Sequence, residues 1–323
     1  MTKASCIHWF RKGLRLSDNP AFLASIQSHQ GNHLELRPVF VLDPWFVKNG
    51  KVGDNRWRFL AQSLEDLDQQ LKKLGTRLFV VRGAPKDVFT ELFEKWNVKR
   101  LTYELDTEPY GVKRDSEINS IAEDKKVEVI AKMGHTLFDP HRVVKANKGQ
   151  TPTTYQKFCS VAASLGKPPK PLDALSNDDF PKECRVSSDK DLEDKSYNVP
   201  TLKELGLDEG KLCPCKFPGG ETEGLKRLAE KFSNGSWVRA FEKPKTSPNS
   251  LEPSTTVLSP YLKFGCVSPR DMYYKLVAIN AKGKHSQPPV SLVGQLYWRE
   301  FFYTCGATID NFDQMVGKYL SFL

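Results

Sequence analysis

The stretch Ser5-Cys6-Ile7-His8-Trp9-Phe10-Arg11-Lys12-Gly13-Leu14-Arg15-Leu16-Ser17-Asp18-Asn19-Pro20 reads as a strand, a basic turn and the start of a helix. Ser5 to Phe10 is a largely apolar, aromatic run too short to be a helix. Asp18-Asn19-Pro20 then supplies a cap and a first-turn proline for a helix running towards Ser28. The same unit recurs downstream. Leu36 to Leu42, Arg77 to Val81, Arg100 to Tyr103 and Val127 to Ile130 read as four more short strands. Trp57, Leu60, Leu64, Leu67, Leu71 and Leu74 fall at helical spacing from Asn55 to Leu74, and Gly75 stops that helix. Pro85 to Trp96 and Val112 to Glu123 read as two further helices. Strand and helix alternating in this way predict an α/β fold built on a parallel sheet.

From about Leu165 to Glu223 the texture changes, with prolines at 168, 169, 171, 181, 200, 214 and 218, mixed charges and no sustained periodicity. So long a connection is unusual inside a compact domain, and it reads as a linker wrapping over the surface. Beyond it, Leu225, Leu228, Ala229 and Phe232 mark a helix ended by Asn234-Gly235. Ser259 to Phe264, Pro269 to Ala278 and Val290 to Thr304 read as further helices, with little strand among them. The expected organisation is an α/β domain over residues 1–160, a linker over 161–223, and the start of an all-helical domain over 224–323. That last domain reads as incomplete, because roughly a hundred residues would struggle to enclose both a cofactor and a separate core.

Composition narrows the class. With 323 residues, 39% hydrophobic and 27% charged, the chain is an ordinary globular protein that can bury a core without disulfides or metals. Every apolar run is short and broken by charge, and the N-terminus lacks the pattern of a secretory signal, so a cytosolic or nuclear protein with no membrane partner is expected. Lys and Arg number 48 against 39 Asp and Glu, a net charge of +9 that favours polyanions. The seven cysteines are scattered, as for reduced thiols, and Cys213 and Cys215 lack the second pair or nearby His that a zinc site needs. The histidines show no metal-ligand spacing and none pairs with a Cys or Ser, so hydrolysis is not indicated. Neither standard phosphate-cradling glycine loop is present.

Two segments carry chemistry. Thr255, Thr256, Val257, Leu258 and Ser259 form an irregular stretch that opens a helix at Ser259-Pro260. Its hydroxyls and free N–H groups suit a phosphate or pyrophosphate, yet Ser and Thr before a first-turn Pro are also what a plain N-cap uses, and local chemistry alone favours the cap. In Gln295-Leu296-Tyr297-Trp298-Arg299-Glu300-Phe301-Phe302-Tyr303, Gln295 and Arg299 are four apart and share a helix face. Arg299 offers a fork for phosphate and Trp298 a flat ring for a base. The competing reading is a core helix whose aromatics pack inward while Arg299 and Glu300 pair at the surface. Glu104 and Glu108 lie near a strand end, either as two surface acids or beside a bound pigment.

These segments resemble the cryptochrome/photolyase flavoprotein family, and within it the (6-4) photolyase and animal cryptochrome branch. The resemblance rests on His8 to Leu16 with Asp18-Asn19-Pro20, Gly149 to Phe158, Pro218 to Glu223, Thr255 to Gly265 and Gln295 to Tyr303, in that order. It covers about residues 4 to 317. It implies a Rossmann-like α/β domain that holds an antenna pigment (folate or deazaflavin) in some members, a long linker, and a helical domain holding FAD. By resemblance, Thr255 to Ser259 bind the FAD pyrophosphate and ribityl region, Arg299 contacts the flavin, and Lys245 is a weaker phosphate contact. Gln295 faces cofactor and substrate, where cyclobutane-dimer photolyases commonly carry Glu. Trp298 stacks on a flipped-out lesion in UV-damaged DNA.

The implied family reaction is light-driven, FAD-dependent repair of (6-4) photoproducts. The alternative is an animal-cryptochrome-like photoreceptor or circadian regulator that binds clock or signalling proteins in nucleus or cytoplasm. The family's proton-donating histidine pair and tryptophan chain have no counterpart here, so no catalytic residue is assigned. The sequence follows the pattern through Asn311 to Gly317 and then leaves it, which reads as a chain lacking the catalytic C-terminal part.

Overall fold

Five strands lie parallel in one sheet, in the order β3-β2-β1-β4-β5. The computed structural model describes residues 3–45, 52–173, 175–243, 254–309 and 312. In chain order the elements are β1 (Ser5–Phe10), α1 (Pro20–Ser25), β2 (Glu35–Leu42), α2 (Asp54–Lys73), β3 (Phe79–Arg82), α3 (Pro85–Lys95), β4 (Val98–Glu104), α4 (Pro109–Asp124) and β5 (Glu128–Lys132). Then follow α5 (Pro140–Ala146), α6 (Tyr155–Ser164), α7 (Asp189–Glu193), α8 (Glu221–Ser233), α9 (Gly235–Ala240), α10 (Ser259–Phe264), α11 (Pro269–Asn280) and α12 (Leu292–Thr308). The register pairs Ser5 with Glu35 and Phe10 with Phe40, and Arg100 with Glu128.

The sheet is covered on both faces, which is why β1 is buried along its whole length and reads as an unbroken run rather than an alternation. Successive side chains of β1 still go to opposite sides. Ile7 and Trp9 join a core with Phe79, Phe89, Trp96 and Tyr103, whereas Cys6 and Phe10 join a core with Phe22 and Leu36. That second core continues without a break into Leu228, Tyr261, Leu276 and Phe301 of the helical part. The two parts therefore share one apolar interior.

The stretch between α6 and α8 is pinned to the sheet side by buried Phe180, Cys184, Val186 and Tyr197. Its last turn is pressed on α2, since a Cβ on Gly219 would lie 2.1 Å from the Phe59 carbonyl oxygen. Glu221, first residue of α8, accepts from the backbone N–H groups of Leu16 (2.7 Å) and Ser17 (2.9 Å). The turn after β1 is thus where the helical part seats. Gly13 and Leu14 both donate to the Phe264 carbonyl at 3.1 Å, and Arg15 donates to the Gly265 carbonyl at 3.1 Å.

Caps set where the helices begin, and those after α1 are local signals that sequence inspection passed over. α1 is capped by Asn19 but ends at Ser25, short of Ser28. Asp139 caps α5 by accepting from His141, and Thr154 caps α6 by accepting from Lys157. Asn234 both follows α8 and caps α9 through Trp237.

Candidate functional site

α10 to α12 enclose a cleft of about 520 Å3, lined by Thr255, Thr256, Val257, Leu258, Ser259, Gln295 and Arg299 together with Lys243, Lys263, Leu292, Leu296 and Tyr303. The size lies within the roughly 300–1,000 Å3 of small-molecule sites. Two segments separated by a helix and a loop in sequence therefore face one space. Lys245 lies outside the described residues. Trp298 is half-buried and does not line this cleft; it stacks on Tyr155 with centroids 4.1 Å apart and planes at 16°.

The Thr255 to Ser259 stretch is not an ordinary N-cap. The cap residue of α10 is Leu258, which has no polar side chain to offer, so the hydroxyls of Thr255 and Ser259 are not used in capping. Thr256 alone turns back, its Oγ1 accepting from Leu258 N–H at 3.3 Å. Val257 has φ of 54°, a left-handed conformation that a β-branched residue adopts only when the surroundings enforce it.

On α12, Leu296 and Phe301 pack inward as the core-helix reading expects, while Gln295 and Arg299 line the cleft. Arg299 and Glu300 do pair, Nη1 donating to Oε1 at 2.7 Å, but Glu300 is only 2% exposed, so the pair is internal rather than on the surface. Glu300 also accepts from Leu137 N–H at 2.7 Å, tying α12 to the chain before α5. The other Arg299 nitrogen donates to the His135 carbonyl at 2.8 Å and to its Nε2 at 2.9 Å, and the guanidinium covers the Tyr303 ring at 4.4 Å. Arg299 is thus fixed in place before any ligand arrives. Gln295 differs: its Nε2 is buried with no hydrogen-bond partner. A buried amide donor left unpaired costs about 1–3 kcal/mol.

His135, set aside with the other histidines in the sequence reading, is held neutral. Burial pushes its pKa well below the usual value, and the Arg299 cation pushes it further. Because the folded form resists the proton that the unfolded chain accepts near pH 6.5, stability is full above that pH and falls as the pH drops below it. Replacing His135 by Gln keeps an acceptor for Arg299 and removes the titration. Urea unfolding between pH 6 and 5 is expected to show a pH slope altered by about 1.4 kcal/mol per unit in this variant; an unchanged slope would mean that His135 titrates normally.

Glu104 requires a correction. It is not a surface acid: it is 5% exposed, because Arg15 donates to it at 2.8 Å from inside the seam. Burial raises its carboxyl pKa against the opposing pull of Arg15. Glu108 is half-exposed and accepts from Lys12 and Lys263, both at 2.9 Å. Lys263 and Lys243, two cations at the cleft that sequence inspection did not single out, have no motif to announce them.

Residues 6–175 match the DNA photolyase family. The chain belongs to the cryptochrome/photolyase family. It is 47% identical to cryptochrome-1 of Rattus norvegicus over 315 residues, covering 97% of this chain and 53% of that protein. Cryptochrome-2 of Gallus gallus is 46% identical, again with 97% of this chain covered and 53% of the relative. This family member thus spans about half the length of those curated relatives. Among solved structures, a Synechocystis cryptochrome superposes with a TM-score of 0.78 at 22% identity, over 96% of this chain and 63% of that one. A class III photolyase from Agrobacterium tumefaciens gives 0.72 at 22% identity, over 98% and 64%. An archaeal photolyase from Sulfolobus tokodaii, solved with two FAD molecules, gives 0.65 at 24% identity, over 95% and 60%. These likenesses establish the photolyase/cryptochrome fold. Among the described residues no helix is long and apolar enough to cross a membrane.

Proposed function

We propose that the α10–α12 cleft is an FAD site, and that the chain is a flavin-binding member of the (6-4) photolyase and animal cryptochrome branch. The observation that carries this reading is the convergence of Thr255 to Ser259, Gln295 and Arg299 on one cleft in which the Gln295 Nε2 donor is buried without a partner. The donor set fits the group. Hydroxyls of Thr255, Thr256 and Ser259, with the Lys243 and Lys263 ammonium groups, suit the pyrophosphate and ribityl chain; Lys245 adds a further cation close by in sequence. Leu258, Leu292 and Leu296 supply apolar walls, Gln295 a hydrogen bond, and Arg299 a rigid cation. FAD contributes light absorption and electron transfer when bound. The protein's part is to grip, orient and dry it.

Similarity to animal cryptochromes favours a photoreceptor or circadian regulator acting through protein partners in nucleus or cytoplasm. Gln295 and the net charge of +9 are equally compatible with repair of (6-4) photoproducts in DNA. Both Glu104 and Glu108 are engaged by protein cations, so neither supports an antenna pigment.

The test is the absorption spectrum of the purified chain with released flavin quantified against protein. Near-stoichiometric FAD is expected. Gln295→Leu, which keeps the volume and removes the amide, is expected to weaken FAD binding about tenfold, the worth of one good hydrogen bond. A folded but colourless protein overturns the flavin reading.

A further inference from the structure

β5 is the last strand of the sheet: one side pairs with β4, and among the described residues no strand lies on the other. Its two faces are covered. Val129 and Ala131 pack on the core that holds Ile118 and Ala122 of α4, and Glu128 on the opposite face accepts from Arg100 at 2.8 Å. The edge is therefore the open part, and it carries Glu128-Val129-Ile130-Ala131-Lys132 with no proline and no bulge against β4. An edge left in this state is a template for another strand.

Backbone direction and charge say which strand. The Lys132 carbonyl accepts from Leu105 N–H at 2.8 Å, so Lys132 faces β4. A strand residue sends its N–H and C=O to one side, and its neighbours send theirs to the other. Glu128, Ile130 and Lys132 thus bond to β4, whereas Val129 and Ala131 direct their backbone groups outward, where no turn or loop group of the described residues meets them. Laid antiparallel, two copies of this strand set Glu128 against Lys132, Val129 against Ala131, and Ile130 against itself. The outward groups of Val129 and Ala131 then fall in register as hydrogen-bonded pairs. Glu128 and Lys132 become non-hydrogen-bonded pairs, whose side chains stand closest. The Glu128 side chain is 43% exposed, and Lys132 makes no ion pair among the described residues.

We propose that the β5 edge is a self-association surface, on which a second copy of this chain pairs antiparallel about a two-fold axis at Ile130 and joins the two sheets into one. A two-fold contact uses the same patch on both copies, and this edge complements itself in charge and in hydrogen bonding alike. A slip of one residue would set outward groups against residues that face β4 and would uncouple the charges. The surface lies outside the α10–α12 cleft and does not rest on the flavin reading.

The pairing is small beside stable interfaces, so association is expected to depend on concentration. Sedimentation equilibrium of the full chain from about 1 µM to about 1 mM is expected to show monomer passing to dimer. Ala131→Pro removes an outward N–H and keeps the bonds to β4, as proline does on an edge strand, and is expected to stay monomeric throughout. Lys132→Glu sets like charges against Glu128 and is expected to weaken association about tenfold. Melting curves verify that each variant folds, and Lys132→Glu, at an exposed position, carries the test if the proline variant does not fold. Register is read by Ile130→Cys. At the axis the two thiols face each other, and oxidised glutathione, which takes up their two electrons and two protons, is expected to link them into a dimer that reductant reverses. Val129→Cys, whose own copy is displaced along the partner strand, is expected to link no more than the parent. A parent chain that stays monomeric at the highest concentration, a dimer that survives both Ala131→Pro and Lys132→Glu, or equal linkage in the two cysteine variants overturns the proposal.

Discussion

Asp18→Asn is expected to remove about 3–5 kcal/mol of folding stability, the cost of leaving a buried cation without its partner. Asp18 is 3% exposed and Arg270 6% exposed. Arg270 donates from Nε at 3.0 Å and from Nη2 at 2.7 Å, gripping both oxygens of the carboxylate. Ser268, the cap of α11, donates to the same group, and Leu172 N–H donates to it at 2.8 Å. One carboxylate therefore ties together the turn before α1, the stretch after α6 and the start of α11. Asn tolerates the left-handed backbone that Asp18 adopts at φ 47°, so the variant isolates the loss of charge from backbone strain. Urea denaturation followed by tryptophan fluorescence reads the effect. The double variant Asp18→Asn/Arg270→Met removes the stranded cation as well and is expected to be more stable than the single one. A single variant within about 0.5 kcal/mol of the parent would show that the pair is not closed as described, since that range is typical of neutral surface changes.

Legibility followed the range of the interactions. The five strands were visible because each is a local run of apolar residues, and α2 because Leu64, Leu67 and Leu71 repeat at helical spacing and are buried as expected. Strand ends shifted by up to two residues, since hydrogen bonding to the neighbouring strand decides where pairing stops. α5, α6, α7 and α9 were missed because they are short and their capping residues are common in loops. In the cleft, the residues could be named but not their engagements. Arg299 spends its donors on His135, which is 164 positions away, and Glu300 accepts from Leu137 at 163. Glu104 looked like a surface acid because its partner Arg15 is 89 positions away. Such pairings leave no periodic trace, and only the folded chain brings them together.

Gly265 couples the fold to the cleft, and Gly265→Ala is expected to cost about 3 kcal/mol or more. Gly265 ends α10 in the left-handed conformation at φ 68°, which costs a non-glycine residue about 1–2 kcal/mol. Space is the larger problem. A Cβ there would lie 2.2 Å from the backbone nitrogen of Gly13 and 2.4 Å from its Cα. Backbone cannot rotate away as a side chain does, so the turn after β1 must retreat, adding about 1–3 kcal/mol of overpacking. The retreat pulls against the bonds from Gly13 and Leu14 to Phe264 and from Arg15 to Gly265. Because α10 also carries Ser259 and follows directly on Thr255 to Leu258, the same displacement reaches the cleft, and the proportion of retained flavin should fall with the urea midpoint. Lys263→Ala, two residues away on the same helix and half-exposed, separates the two effects: it leaves Gly13 undisturbed and is expected to stay within about 1 kcal/mol of the parent. If Gly265→Ala were as mild as Lys263→Ala, the turn after β1 would not be the seat of the helical part, and the seam would have to lie in the shared apolar core alone.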